Sequence, residues 1–465
     1  MNNQGINLET MTIASAGKLI QDQKISIEQL TQATLEQVHV TEPKINAFIT
    51  VLANEAMQNA QILDKEIVEG KYRGLLHGIP IGLKDIIDMK GVLTSNGSQF
   101  SHNTLAEKDA TVTSKLTKNG AVIVGKLNLH EFAFGTSSVN PHYGPVKNPW
   151  NTKHVSGGSS GGSAAAIAAN SCLGTIGTDT GGSIRIPASL CGVVGFMPTS
   201  GRVSKHLITP LAWSLDHAGP IAKTVEDCCI ILDHISGYDK NDQYSFNLPP
   251  TNTTEHLTGD IQGLNIGLPK LLWNEVDATT MQYAQQSVEL LEKLGANVQE
   301  IDLPLLEEVR EIEKGRFRIL LAEAATYHSK RIREHPEMFG KDVLASLQLG
   351  SLVSATSYLN AQRIREKLIS ETKEQFNQVD IFVSPTTMYT APLISEGDVQ
   401  AKLSRLTAPY DILDLPSISI CCGFDDNNLP IGLMFAAKQL NENIVANVAH
   451  TFEQNIQLSK PNKDL

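Results

Sequence analysis

Over about the first 75 positions the apolar residues fall on a helical repeat. Ser26-Ile-Glu-Gln29 has the spacing of a capping box, in which the serine oxygen and the glutamine side chain satisfy backbone N–H groups at a helix start. Ile27, Leu30, Thr34 and Val38 then share one helical face. From Leu75 to about Gly237 the texture changes. Glycine-rich turns separate short apolar runs such as 79–83 and 121–124, the second opened by Asn119-Gly120. That alternation predicts strands interleaved with helices. A helix is expected through 164–169, whereas 147–156 is polar, contains a proline and reads as loop.

Residues 238–260 are rich in Asp, Asn, Thr and Pro and read as a surface connection, either a domain boundary or a loop within one large α/β unit. After them, 264–268 reads as a strand. Met281, Ala284, Val288 and Leu291 make one helical face ended by Gly295, and 296–301 completes a predicted βαβ unit. Two apolar runs, 417–422 and 431–436, bracket a polar turn like a hairpin. The chain has no internal repeat and no low-complexity tail.

Length, 465 residues, gives a soft prior of about three domains. A net charge of −12 with no Lys/Arg-rich run argues against an autonomous nucleic-acid binder. The six cysteines, at 172, 191, 228, 229, 421 and 422, form no C-x-x-C pair and read as small core residues. The first residues lack the basic and apolar regions of a signal peptide, and no apolar run is long enough to span a bilayer. A cytoplasmic protein without membrane attachment is expected.

The chemistry-bearing stretch is 156–187, where Ser159 and Ser183 are embedded in glycines, with Lys84 upstream in Gly-Ile-Pro-Ile-Gly-Leu-Lys-Asp. A serine hydroxyl is a weak nucleophile until a base lies within hydrogen-bond reach. Lysine can be that base if burial keeps it uncharged; lowering its pKa from ~10.4 to ~7–8 costs roughly 4 kcal/mol, which desolvation can supply. Lys84 follows a predicted strand, which favours burial. The competing reading is a structural lysine paired with Asp85 or Asp88. Thr180-Gly181-Gly182-Ser183 offers unobstructed backbone N–H groups for an oxyanion. Pro187 fits the first turn of a short helix whose N-terminus favours the same charge. Alone, a Gly-Gly-Ser more often just joins a strand to a helix.

Rival constellations fare worse. Residues 157–161 and 158–162 match G-x-S-x-G, but the elbow motif needs a preceding strand, and 147–156 reads as loop. A Ser-His-Asp triad is conceivable with His217 or His130. Asp216 and His217 adjoin, which points their side chains apart, so Asp216→Asn is expected to change little. There is no H-E-x-x-H, clustered Cys/His, P-loop or dinucleotide fingerprint; neither a metal nor a cofactor is expected.

Three ordered motifs, 78–85, 157–163 and 177–187, resemble the amidase signature family, and the similarity continues through 191–204 and 214–220. The resemblance implies an α/β fold, a large mixed twisted sheet covered by helices on both sides. It implies one domain over 1–465: a helical segment 1–74, a signature core 75–237 and a C-terminal α/β part 261–465. It also implies a Ser–cis-Ser–Lys triad, with Ser183 the acylated nucleophile, Ser159 the bridging serine after a cis peptide, and Lys84 the base. Thr180, Gly181 and Gly182 would form the oxyanion hole, and Ser160, Asp179 and Arg185 would support the network.

The implied substrate is a small-molecule amide, cleaved to acid plus ammonia or amine. A homodimer stays open, and no nucleic-acid partner is expected. Two subfamilies compete: stand-alone amidases, and the glutamine-hydrolysing component of the tRNA-dependent amidotransferase. Arg365 resembles the arginine that holds the glutamine carboxylate in that component. Ser404 falls where the component has an acidic residue, and 211–217 looks more like general amidases, so a stand-alone amidase is the favoured expectation. A catalytically dead scaffold on this fold is the third option, opposed by competent residues at all three triad positions.

Overall fold

The computed structural model describes residues 6–101, 105–274, 276–303, 309–397, 400–459 and 461–465. Among them, eleven strands form one mixed sheet: β1 (Phe48–Val51), β2 (Pro80–Lys84), β3 (Val122–Leu127), β4 (Gly174–Asp179), β5 (Val194–Met197), β6 (His217–Ala222), β7 (Asn265–Pro269), β8 (Asn297–Ile301), β9 (Ile381–Pro385), β10 (Ser417–Phe424) and β11 (Pro430–Ala437). Their order is β1-β3-β2-β4-β6-β5-β10-β11-β9-β7-β8. β2 runs parallel to β3 and β4, and β7 parallel to β8 and β9; the other pairings are antiparallel. Every residue of β2, β3, β4 and β6 is buried, the signature of strands covered on both faces.

The predicted elements arise where the pattern is long. The helix Ile27–Ile45 opens with the capping box: Gln29 N donates to Ser26 Oγ at 3.0 Å, and Ser26 N donates to Gln29 Oε1 at 2.9 Å. Ile27, Leu30, Thr34 and Val38 are all buried. The wholly helical reading of this region misses β1, because four residues are too few to show a period. The βαβ unit is β7, the helix Ala278–Lys293 and β8; Gly295 takes a φ of +96°, which lets the chain turn out of the helix. β10 and β11 form the expected antiparallel hairpin. All six cysteines are free and buried. Among the described residues no helix is long and apolar enough to cross a membrane.

One sequence expectation is corrected. Residues 147–156 are not loop: Lys147–Asn148 and Asn151–Val155 pair as a two-stranded ribbon outside the central sheet. A strand therefore precedes the 157–162 glycines after all. The elbow fails for a different reason, since Ser159 and Ser160 are both completely buried and stand in no exposed turn.

Candidate active site

β2 and β4 are neighbouring parallel strands, so their carboxyl ends emerge side by side and carry Lys84 and Thr178 to one place. The helix Gly161–Ala168 follows Ser159 and Ser160. Its Gly, Ser and Ala side chains are small enough for it to lie wholly buried beside those strand ends. The Gly158–Ser159 peptide bond is cis.

Lys84 is completely buried, and Nζ sits in a tripod of hydroxyls: Ser159 Oγ at 2.7 Å, Thr178 Oγ1 at 2.8 Å and Ser160 Oγ at 2.9 Å. Asp85 is occupied elsewhere, by Lys126 at 2.8 Å and Ser95 N at 3.0 Å, and among the described residues Lys84 has no ion pair. Burial drives its pKa from 10.5 down to about 7, against the opposing fields of Asp179 and Asp216. A neutral amine has a lone pair, so one hydroxyl of the tripod must donate to it. Ser160 Oγ donates to the Thr178 carbonyl at 3.1 Å and so only accepts from Lys84. That leaves Ser159 and Thr178 to offer a proton. Of these, Ser159 lies on the segment that meets Ser183, through Ser160 N donating to Ser183 O at 3.2 Å.

Ser183 lies on the wall of a cavity of about 230 Å³, with Thr180, Gly181 and the side chains of Leu211, Phe317 and Leu320. The geometry brings Lys84 and Ser159 into direct contact but leaves Ser183 Oγ without a hydrogen bond among the described residues. The Ser159–Ser183 leg of the expected relay is thus open here, as catalytic bonds often are without substrate.

The oxyanion loop also departs from expectation at one position. Gly182 N–H points at the Asp179 carboxylate, which also accepts from Ile184 N at 3.0 Å. The reason is local: the helix Arg185–Cys191 starts here, its first amides need an acceptor, and Asp179 is the nearest carboxylate. Thr180 and Gly181 keep backbone N–H groups with no acceptor among the described residues, and both border the cavity with Ser183.

A buried charge network fixes this loop. Arg185 donates through Nε and Nη2 to Asp179 at 3.0 and 3.1 Å, through Nη2 to Asp411 at 2.5 Å, and through Nη1 to the Thr407 carbonyl at 3.0 Å. Thr407 Oγ1 in turn donates to the Gly181 carbonyl at 2.7 Å. Burial opposes the charge on Asp179, but the Arg185 guanidinium outweighs it and holds the carboxyl well below the usual range. Thr407 and Asp411 lie far along the chain in no motif, so the sequence carries no signal for them. Thr178 lies inside the 177–187 motif, and its hydroxyl one position before Asp179 is the signal that could have found it.

Asp216 matters more than expected. It is buried, accepts from Thr180 Oγ1 at 2.6 Å, and also accepts from Leu211 N at 3.0 Å and Ala212 N at 3.1 Å. The imidazoles considered for a triad are committed elsewhere. His217 reaches Asp414 at 3.2 Å and the Asp179 carbonyl at 3.3 Å, and His130 reaches Asp342 at 2.9 Å. Arg365 is not among the cavity's lining residues; its Nε donates to the Ile412 carbonyl at 3.0 Å. Ser404 does line the cavity. Among the described residues no group of His, Cys, Asp or Glu is placed to hold a metal ion.

The Amidase family profile matches residues 29–445. The first component, GatA-type, of the glutamyl-tRNA(Gln) amidotransferase of Acaryochloris marina is 37% identical over 95% of this chain and 97% of its own. A structure described as part of a vestigial protein complex, revealing the evolutionary origins of an s-triazine catabolic enzyme, superposes with a TM-score of 0.91 at 30% identity. It covers 97% of this chain and 100% of that one. The native peptide amidase of Stenotrophomonas maltophilia follows at 0.87 and 29% identity, covering 98% and 99%. Motifs, mixed sheet and near end-to-end similarity converge on one conclusion: the chain belongs to the amidase signature family of amide hydrolases.

Proposed function

We propose that this chain is an amidase that works without a partner protein, through an acyl-enzyme on Ser183. The observation that carries the reading is a buried lysine held 2.7 Å from Ser159 while Ser183 faces a cavity. Neutral Lys84 takes the Ser159 proton, Ser159 takes the Ser183 proton, and Ser183 Oγ attacks the amide carbon. Thr180 and Gly181 N–H groups receive the negative charge that develops on the carbonyl oxygen. Proton return along the same path releases the amine, and water then cleaves the ester. The Ser159–Ser183 hydrogen bond that this route needs closes on substrate binding.

The cavity argues for an uncharged acyl portion. Its described lining includes no Lys, Arg or His and contains one carboxylate, Asp342. A glutamine α-carboxylate meets no cation there, and Ser404 offers no charge for the α-amino group. The glutamine-hydrolysing reading draws its support from Arg365 and from the amidotransferase relatives. Ammonia release from a panel of amides, glutamine included, assayed with the isolated chain, separates the two. Turnover of glutamine alone defeats the proposal. A serine-directed fluorophosphonate should label the wild type and not Ser183→Ala; equal labelling of both removes Ser183 as the nucleophile.

A further inference from the structure

A second chamber of about 340 Å³ lies behind the oxyanion loop. It borders Thr178, whose hydroxyl holds Lys84, and Asp216, whose carboxylate holds Thr180. Leu211 and Ala133 line both this chamber and the Ser183 cavity, so they form the partition between the two. The partition loop 211–216 is pinned from three sides. Asp216 accepts from Leu211 N and Ala212 N, Lys205 Nζ donates to the Trp213 and Asp216 carbonyls at 2.8 and 2.9 Å, and Ser214 donates to buried Glu323. A loop tied this way makes the chamber a preformed space.

Its place relative to the relay says which half of a substrate belongs there. The Ser183 side takes the acyl carbon. When the tetrahedral intermediate collapses, the C–N bond breaks, its electron pair stays on nitrogen, and nitrogen takes a proton from Ser159 Oγ, which Lys84 replaces. The departing amine therefore leaves on the Lys84–Thr178 side, towards the chamber. Ammonia is about the size of water and needs ~30 Å³ of liquid volume, a tenth of this space.

Resting on the amidase reading above, we propose that the chamber is a leaving-amine subsite and that the preferred substrates are N-substituted amides. Trp213 and Tyr244 at its wall suit an aromatic or apolar amine.

Matched primary and N-benzyl amides of one small apolar acid test this. Wild type should show the higher kcat/KM on the N-benzyl amide. Thr209→Trp, at a residue that lines only the chamber, should cut that value at least 10-fold and leave the primary amide within 2-fold. Leu320→Phe, lining only the Ser183 cavity, should lower both equally. Equal effects of Thr209→Trp on both substrates, or a wild-type preference for the primary amide, overturn the proposal. Benzylamine titration of Ser183→Ala by calorimetry reads the chamber without turnover. Binding weakened by Thr209→Trp supports the subsite even if the amides are inert, which would count against the amidase reading alone; no binding refutes the subsite.

Discussion

Replacing Lys84 by Met should destroy activity and, at low pH, relieve a stability cost. Met nearly keeps the length and removes the charge. In the fold the Lys84 amine has a pKa of about 7, against 10.5 for the ordinary side chain. Each tenfold in proton affinity is about 1.4 kcal/mol, so below pH 7 the fold carries a penalty of about 5 kcal/mol for this group. The sign follows from the depressed basicity: the native state favours the neutral amine, the unfolded chain the ammonium. The penalty is complete below pH 7, shrinks as pH rises towards 10.5, and is under about 1 kcal/mol at pH 10.

Met also loses three hydrogen bonds to hydroxyls, roughly 1 kcal/mol each, but that loss does not vary with pH in this range. Urea unfolding of both proteins at pH 6, 8 and 10 isolates the variable part. The stability of Lys84→Met relative to wild type should fall by about 4 kcal/mol from pH 6 to pH 10. Over the same range wild-type kcat/KM should rise through an apparent pKa near 7, and the variant should lose ~10³-fold or more, the scale of a general base. A stability difference that stays flat with pH refutes the reasoning, because it means that Lys84 is an ordinary charged lysine in the fold.

Asp216→Asn, expected from sequence to be almost silent, should lower kcat ~10-fold or more with little change in KM, since it loosens the Thr180 hydroxyl and the oxyanion donor beside it; steady-state kinetics on one amide decide it. Gly182→Ala should be far worse. Its φ of +125° disfavours any side chain, and a Cβ there would stand 2.1 Å from Thr407 Oγ1, so the fluorophosphonate labelling rate should fall at least ~100-fold. Thr407→Val keeps the shape and removes only the donor to the Gly181 carbonyl, so it should slow acylation ~10-fold without lowering the melting temperature appreciably; an unchanged rate means that the loop needs no such strut.

Whatever local chemistry dictates could be read along the chain. The capping box at Ser26, the βαβ unit ended by Gly295 and the late hairpin are each written within a short window, where backbone donors and apolar period leave one economical conformation. The motifs likewise announce Lys84, Ser159 and Ser183 together, because glycine-embedded serines and a lysine at a strand end are legible residue by residue.

The remaining features came into being only when distant segments met. β1 is too short to carry a period. Asp179 takes the Gly182 amide because a helix begins beside it, and Thr407 and Asp411 reach the loop from more than 200 positions away through Arg185. Asp216 becomes the anchor of Thr180 only once β6 lies beside β4. Such contacts depend on which strands are neighbours, and a residue's position in the chain does not encode what folds against it.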